Sequence, residues 1–90
     1  MNTETFNKLP LEEKAGVIQR EGKFIDERAI YNKSYIKLYQ VNEFFVEVFM
    51  DVKTEELQQI ITTTQDEILY NYIDLREVYL TNKQIKPPQQ

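Results

Sequence analysis

Only carboxylates could do acid–base or metal chemistry in this chain. Its 90 residues contain no His and no Cys. The usual general base near neutral pH, the commonest metal ligand, thiolate nucleophiles and disulfides are therefore excluded. The acidic candidates are Glu47, Asp51 and the adjacent pair Asp66 and Glu67. Glycoside hydrolysis would need two such groups across a cleft, and a hard cation would need several clustered oxygens. No calcium-loop spacing occurs. Phosphate loops need glycine-rich turns, and Gly16 and Gly22 are the only glycines. The sequence thus carries no catalytic, cofactor or metal motif, and the expectation is a protein that is not an enzyme. Three of the four also have a structural reading: Glu47 as the ion-pair partner of Lys37, Asp66 and Glu67 as helix-capping groups.

The elements that would position these groups centre on a hairpin. Tyr35–Gln40 and Phe44–Val52 are rich in β-branched and aromatic residues and flank the polar Val41-Asn42-Glu43. A two-residue loop at Asn42-Glu43 would set Lys37 opposite Val48 and Glu47 opposite Leu38, each charge among apolar neighbours. A three-residue loop instead sets Leu38 opposite Val46, Ile36 opposite Val48, Gln40 opposite Phe44 and Ser34 opposite Met50. It also sets Lys37 opposite Glu47. Because a one-residue slip inverts the faces of a strand, the cleaner segregation favours the three-residue loop. The hairpin then has an aliphatic face and a face bearing Tyr35, Lys37, Tyr39, Phe45, Glu47 and Phe49. That aromatic, ion-paired face is the candidate interaction surface. The loop's last position usually takes the left-handed conformation, which Glu43 suits poorly.

Around the hairpin, Pro10 and the acidic Glu12 and Glu13 open a helix over 10–21, with Gly22 as its left-handed C-cap. Gly16 inside this helix would permit close approach to a sheet. Lys23–Tyr31 reads as a strand, with Asn32-Lys33 as a two-residue turn. Leu57–Thr63 is a fourth strand. Thr64-Gln65-Asp66-Glu67 matches a capping box at the start of a second helix, with Ile68, Leu69, Tyr72 and Ile73 as its apolar stripe. Residues 74–82 either extend that helix or form a separate turn. The expected fold is α+β: a helix, a four-stranded antiparallel meander sheet and a helix, in two layers. Residues 1–9 are expected to be loose, with one helical turn around Phe6. Residues 10–82 form the domain, and residues 83–90 a disordered tail.

The hairpin Ile36-x-Leu38-Tyr39, a short turn, then Phe44-Phe45-Val46-Glu47-Val48 resembles a group of small bacterial α+β proteins of no known function. Their corresponding run reads roughly L-Y-x-L-N-G-F-Y-V-E-V, between a helix ending in Gly and an acidic C-terminal helix. The resemblance spans about residues 11–73 and departs at Glu43, where the pattern has Gly. It implies the fold and brings no activity, cofactor or functional residue.

Charge and composition bound the partners. The hydrophobic fraction is 41% with six Tyr and five Phe, enough for a modest core that oligomerisation commonly supplements. Net charge is −4, unevenly spread. Residues 1–42 hold seven basic and six acidic groups, whereas 43–82 hold two basic and nine acidic ones. Clustered Lys and Arg, which phosphate backbones require, are missing, so nucleic acid is disfavoured as a partner. The first six residues lack the blocks of a signal peptide, and no apolar run approaches a membrane span. A cytoplasmic protein is expected, binding itself or an unknown protein partner. The alternative is an RNA or small-ligand binder using the aromatic sheet face.

Overall fold

A computed structural model describes residues 1–85, with side chains to residue 81. Its sheet is an antiparallel meander in the order β1-β2-β3-β4, formed by β1 (Gly22–Ile30), β2 (Ser34–Val41), β3 (Phe44–Asp51) and β4 (Leu57–Thr63). Two helices precede it, α1 (Thr3–Asn7) and α2 (Leu11–Glu21); two follow, α3 (Gln65–Asn71) and α4 (Ile73–Ile85). The α+β class and the order of helix, four-stranded meander and helix are as the sequence implies.

The layering differs from the two-layer expectation because both sheet faces are covered. On one face Phe6, Val17 and Ile18 from α1 and α2 pack with Val41, Phe44, Val46 and Ile60. On the other, Ile68 and Tyr72 close over Leu38, joined by Ile25, Phe45 and Leu75. These sets alternate along β2 and β3, as side chains on opposite faces of a strand must. The turn around Phe6 is α1. Asn2 caps it, its Oδ1 accepting from Thr5 N at 2.8 Å. Phe6 is fully buried, its ring 5.4 Å from that of Phe44. Such a tilted pair contributes about 0.5–1.5 kcal/mol beyond its burial.

The hairpin register is the main correction. Val41 pairs with Phe44, Lys37 with Val48 and Leu38 with Glu47, so the β2–β3 loop has two residues, Asn42 and Glu43. The backbone supplies the reason. Asn42 takes the left-handed conformation at φ 54°, and Glu43 does not. Asn tolerates that region better than Glu, and a three-residue loop would have put the burden on Glu43. Two bonds hold the turn: Gln40 Nε2 donates to Asn42 O and Asn42 Nδ2 to Glu21 Oε1, both at 3.0 Å. The first hairpin is also the reverse of expectation. Ile30 pairs with Ser34, leaving a three-residue loop, Tyr31-Asn32-Lys33, with Asn32 left-handed at φ 58°. In both loops an Asn takes the positive φ.

The capping box at Thr64 and Glu67 forms as read from the sequence: Thr64 Oγ1 accepts from Glu67 N, and Glu67 Oε1 accepts from Thr64 N, both at 3.2 Å. Residues 74–82 neither extend α3 nor form a turn. They belong to α4, which a break at Tyr72 (φ −120°, ψ 91°) separates from α3. Of the expected tail, residues 83–85 continue α4 and 86–90 lie outside the described residues.

Gly22 ends α2, but not as a left-handed cap. Its backbone is extended (φ −79°, ψ 141°) and runs directly into β1. What requires Gly is space, since a Cβ there would sit 2.6 Å from Ile18 O. Gly16, by contrast, makes no close approach to the sheet; a Cβ would meet only the tip of the Arg20 side chain at 3.2 Å. Thermal melts should therefore separate the two. Gly16→Ala should raise stability by about 0.5–1 kcal/mol, through lower chain entropy and better helix propensity. Gly22→Ala should lower it by about 1–3 kcal/mol through overpacking against backbone. Equal effects would contradict this account.

Asp51 organises the β3–β4 connection. Its Oδ1 accepts from Lys53 N at 2.8 Å and Thr54 N at 2.9 Å, and these bonds hold its pKa below the ordinary 3.8. A depressed folded pKa gives stability that is fully present above the unfolded value and lost as pH falls through the folded one. Urea melts of wild type and Asp51→Ala should therefore differ at neutral pH and converge on acidification below 3.8.

Candidate functional site

The least ordinary chemistry lies beneath α3. Glu47 is near the middle of β3, opposite Leu38 on β2 and Ile61 on β4, and is only 4% exposed. One of its oxygens collects three donors. Arg28 Nε and Nη2 each donate to Oε2 at 3.1 Å, and the Tyr72 hydroxyl donates to the same atom at 2.7 Å. The Arg28 guanidinium also lies 5.4 Å from the centroid of the Tyr72 ring. Three elements build this cluster. Arg28 is opposite Ile36 in β1, on the same face as Leu38 and Glu47. Tyr72 sits at the break between α3 and α4.

The electrostatics are those of a closed triad. Burial raises the Tyr72 pKa strongly, and its bond to Glu47 raises it further, so the phenol stays protonated and donates. For Arg28, burial pulls the pKa down, but the bond to Tyr72 and the charge of Glu47 outweigh it, leaving the pKa raised. The carboxylate is sequestered under a helix, with both neighbours committed to it. This arrangement fixes structure; it presents no group to a substrate.

The remaining carboxylates are dispersed. Asp51 shapes its loop, and Glu67 caps α3. Among the described residues no group of three or more Asp, Glu, His or Cys could hold a metal ion.

The six residues of the candidate interaction face do not share a face. Tyr35, Lys37 and Tyr39 lie with Val41 on the α1–α2 side; Phe45, Glu47 and Phe49 lie with Leu38 on the α3–α4 side. The ion pair of Glu47 is with Arg28, not Lys37. Lys37 stands instead over the Tyr35 ring at 5.9 Å. A hydrogen bond to the Glu27 carboxylate raises the Tyr35 pKa. Arg28 and Tyr72 escaped the sequence reading because Arg28 is 19 residues from Glu47, across an intervening strand, and Tyr72 is 25 residues away. The available signal was negative: a carboxylate placed among apolar neighbours needs a cation from elsewhere.

The α1–α2 face also holds an open feature. Beside α2, the residues Ala15, Ile18, Tyr39, Met50 and Leu57 line an apolar groove of about 510 Å³, with Phe24 on its wall. Phe24 is 55% exposed and meets Tyr39 edge-on at 5.8 Å. Gly22 contributes to the lining, so the helix-to-strand junction that excludes a Cβ also shapes the groove.

Comparison with family models, curated proteins and solved structures finds no match. No helix among the described residues is long and apolar enough to cross a membrane.

The triad yields a stability prediction. Removing one member of a buried pair leaves the other uncompensated, which costs several kcal/mol. Arg28→Met should cost about 3 kcal/mol in urea denaturation. Tyr72→Phe should cost about 1.5–3 kcal/mol, as for a hydrogen bond to a charged group. Adding Glu47→Leu to Arg28→Met should restore much of the loss, because the carboxylate is then no longer stranded. If Arg28→Met melts like wild type, the triad is not what holds α3 to the sheet.

Proposed function

We propose that this protein is a non-enzymatic interaction module of the cytoplasm that takes an apolar segment of a partner protein into the groove beside α2. The observation that carries this reading is Phe24, more than half exposed on the wall of a groove whose lining is apolar apart from Gln19. A soluble monomer has little reason to keep such a ring beside Tyr39, Met50 and Leu57 unless something packs on it. Aromatic and Met side chains are enriched where partners bind. The non-enzymatic reading is supported by the carboxylates: Glu47 is enclosed, Asp51 holds the β3–β4 loop and Glu67 caps α3. The alternative of an RNA or small-ligand binder depended on four aromatics sharing one face, and they divide two and two.

We further propose kinship with the small bacterial proteins that the hairpin resembles. The two-residue loop supports it. Asn-Gly, which the family pattern carries at positions 42 and 43, is a favoured pair for such a loop, and here Asn42 adopts the positive φ.

Photo-crosslinking tests the groove. A photoreactive residue at position 24 should give a discrete adduct with a different protein in cells of the source. The same residue at position 31, where Tyr31 is 89% exposed at the far end of β1, should not. Met50→Asp, placed in the groove, should abolish the adduct from position 24. No adduct, equal adducts from both positions, or only an adduct of two copies of this chain would overturn the proposal.

A further inference from the structure

The two edges of the sheet differ in chemistry. β1, at one edge, carries Lys23, Asp26, Glu27 and Arg28 and has a register irregularity between Phe24 and Asp26. Charges and bulges are the devices by which edge strands avoid pairing with another chain. β4, at the other edge, reads Leu-Gln-Gln-Ile-Ile-Thr-Thr, without a charge, a Pro or a Gly. Its own irregularity, at Gln58, leaves residues 59–63 in regular pairing with β3. Short, uncharged segments rich in β-branched residues are the ones that accept an added strand.

We propose that β4 pairs with β4 of a second copy, antiparallel about a two-fold axis at Ile61, to form a continuous eight-stranded sheet. A two-fold contact requires the edge to be complementary to itself. Centred on Ile61, the ladder sets Ile61 against Ile61, Ile60 against Thr62 and Gln59 against Thr63. Every pair is uncharged and keeps each side chain on its own face. The Gln58 irregularity stays outside these pairs. Centring on Ile60 gains less, because Ile60 is already 2% exposed beneath α2, and it would bring Gln58 opposite Thr62. Ile61 is 38% exposed on the face away from α2 and would be covered by its own symmetry mate. The same operation on β1, centred anywhere from 26 to 28, sets Asp26, Glu27 or Arg28 against itself, and like charges directly opposite destabilise a ladder.

Among the described residues one side chain bonds to the β4 backbone. Lys14 Nζ donates to Ile60 O at 3.3 Å, while Asn7 Nδ2 donates to Thr62 Oγ1 at 3.1 Å. Both approach from the α1–α2 side. A strand entering the ladder would replace the long Lys14 bond with a backbone N–H, and the face bearing Ile61 needs no such exchange. This surface is separate from the groove. Phe24 is on β1, three strands from the proposed axis.

Sedimentation across a concentration series up to millimolar, with circular dichroism as the check on folding, tests the pairing. Wild type should form a dimer. Ile61→Lys should weaken it by roughly tenfold or more, through a like charge facing itself, whereas Ile30→Lys on the β1 edge should not. The chain has no cysteine, so single introduced thiols report cleanly. Opposed positions in a ladder lie about 4.5–5.5 Å apart, within disulfide reach. Under oxidation Ile61→Cys should therefore give a covalent dimer, and Ile30→Cys should not. A wild type that stays monomeric throughout, or a dimer that Ile61→Lys leaves intact, overturns the proposal. So does equal cross-linking from positions 30 and 61. None of these results bears on the adduct from position 24, so the two surfaces fail separately.

Discussion

A carboxylate buried in the middle of a sheet constrains everything around it. Glu47 Oε2 takes donors from β1 through Arg28 and from the α3–α4 break through Tyr72. An unpaired carboxylate at 4% exposure would be strongly destabilising, so the folded state is favoured most with both donors in place. That requirement ties the first strand of the sheet to the last helical layer. It also accounts for the bent path of the chain at Tyr72. A continuous helix from Gln65 onward would carry the following residues along one axis, whereas the break sends α4 off separately and leaves the phenol on the sheet. Ile68 and Leu75 on either side supply the apolar contacts that accompany the polar one.

The opposite face buries no ion pair. Phe6, Val17 and Ile18 meet Val41, Phe44, Val46 and Ile60 in an apolar cluster, with Lys14 Nζ 5.9 Å over the Phe6 ring. Here the constraint is steric: α2 turns into β1 at Gly22 with no linking residue, which holds the helix close over one part of the sheet. The groove along its flank follows from that placement. The two faces thus divide the work. One is closed by a specific polar cluster, and the other is partly open beside an apolar helix.

The elements were largely legible in the sequence. β4 could be read at Leu57–Thr63, the capping box at Thr64 and α2 to within one residue, because these signals are local: β-branched runs, a cap four residues long and a Pro-to-Gly span. The candidate site was much less legible. The hairpin alone argues for the wrong register, since Glu47 beside Leu38 is unfavourable until Arg28 and Tyr72 are counted. A pairing argument confined to two strands cannot see a cation from the third or a phenol from a later helix. The turn held better information. Asn42 is the loop residue suited to a positive φ, and weighting it above the segregation of faces would have given the two-residue loop. That preference does not extend to the first hairpin, where Asn32 takes the positive φ from the middle of a three-residue loop.

The sequence by itself determined the α+β class, the meander and the absence of thiol and imidazole chemistry, because composition and short-range periodicity act within a few residues. Tertiary structure decided the register, the face to which each aromatic belongs and the partner of Glu47. Those outcomes compare the energies of whole sheets rather than of hairpins. A single buried ion pair, worth more than several cross-strand contacts when its alternative is a stranded charge, is enough to settle them.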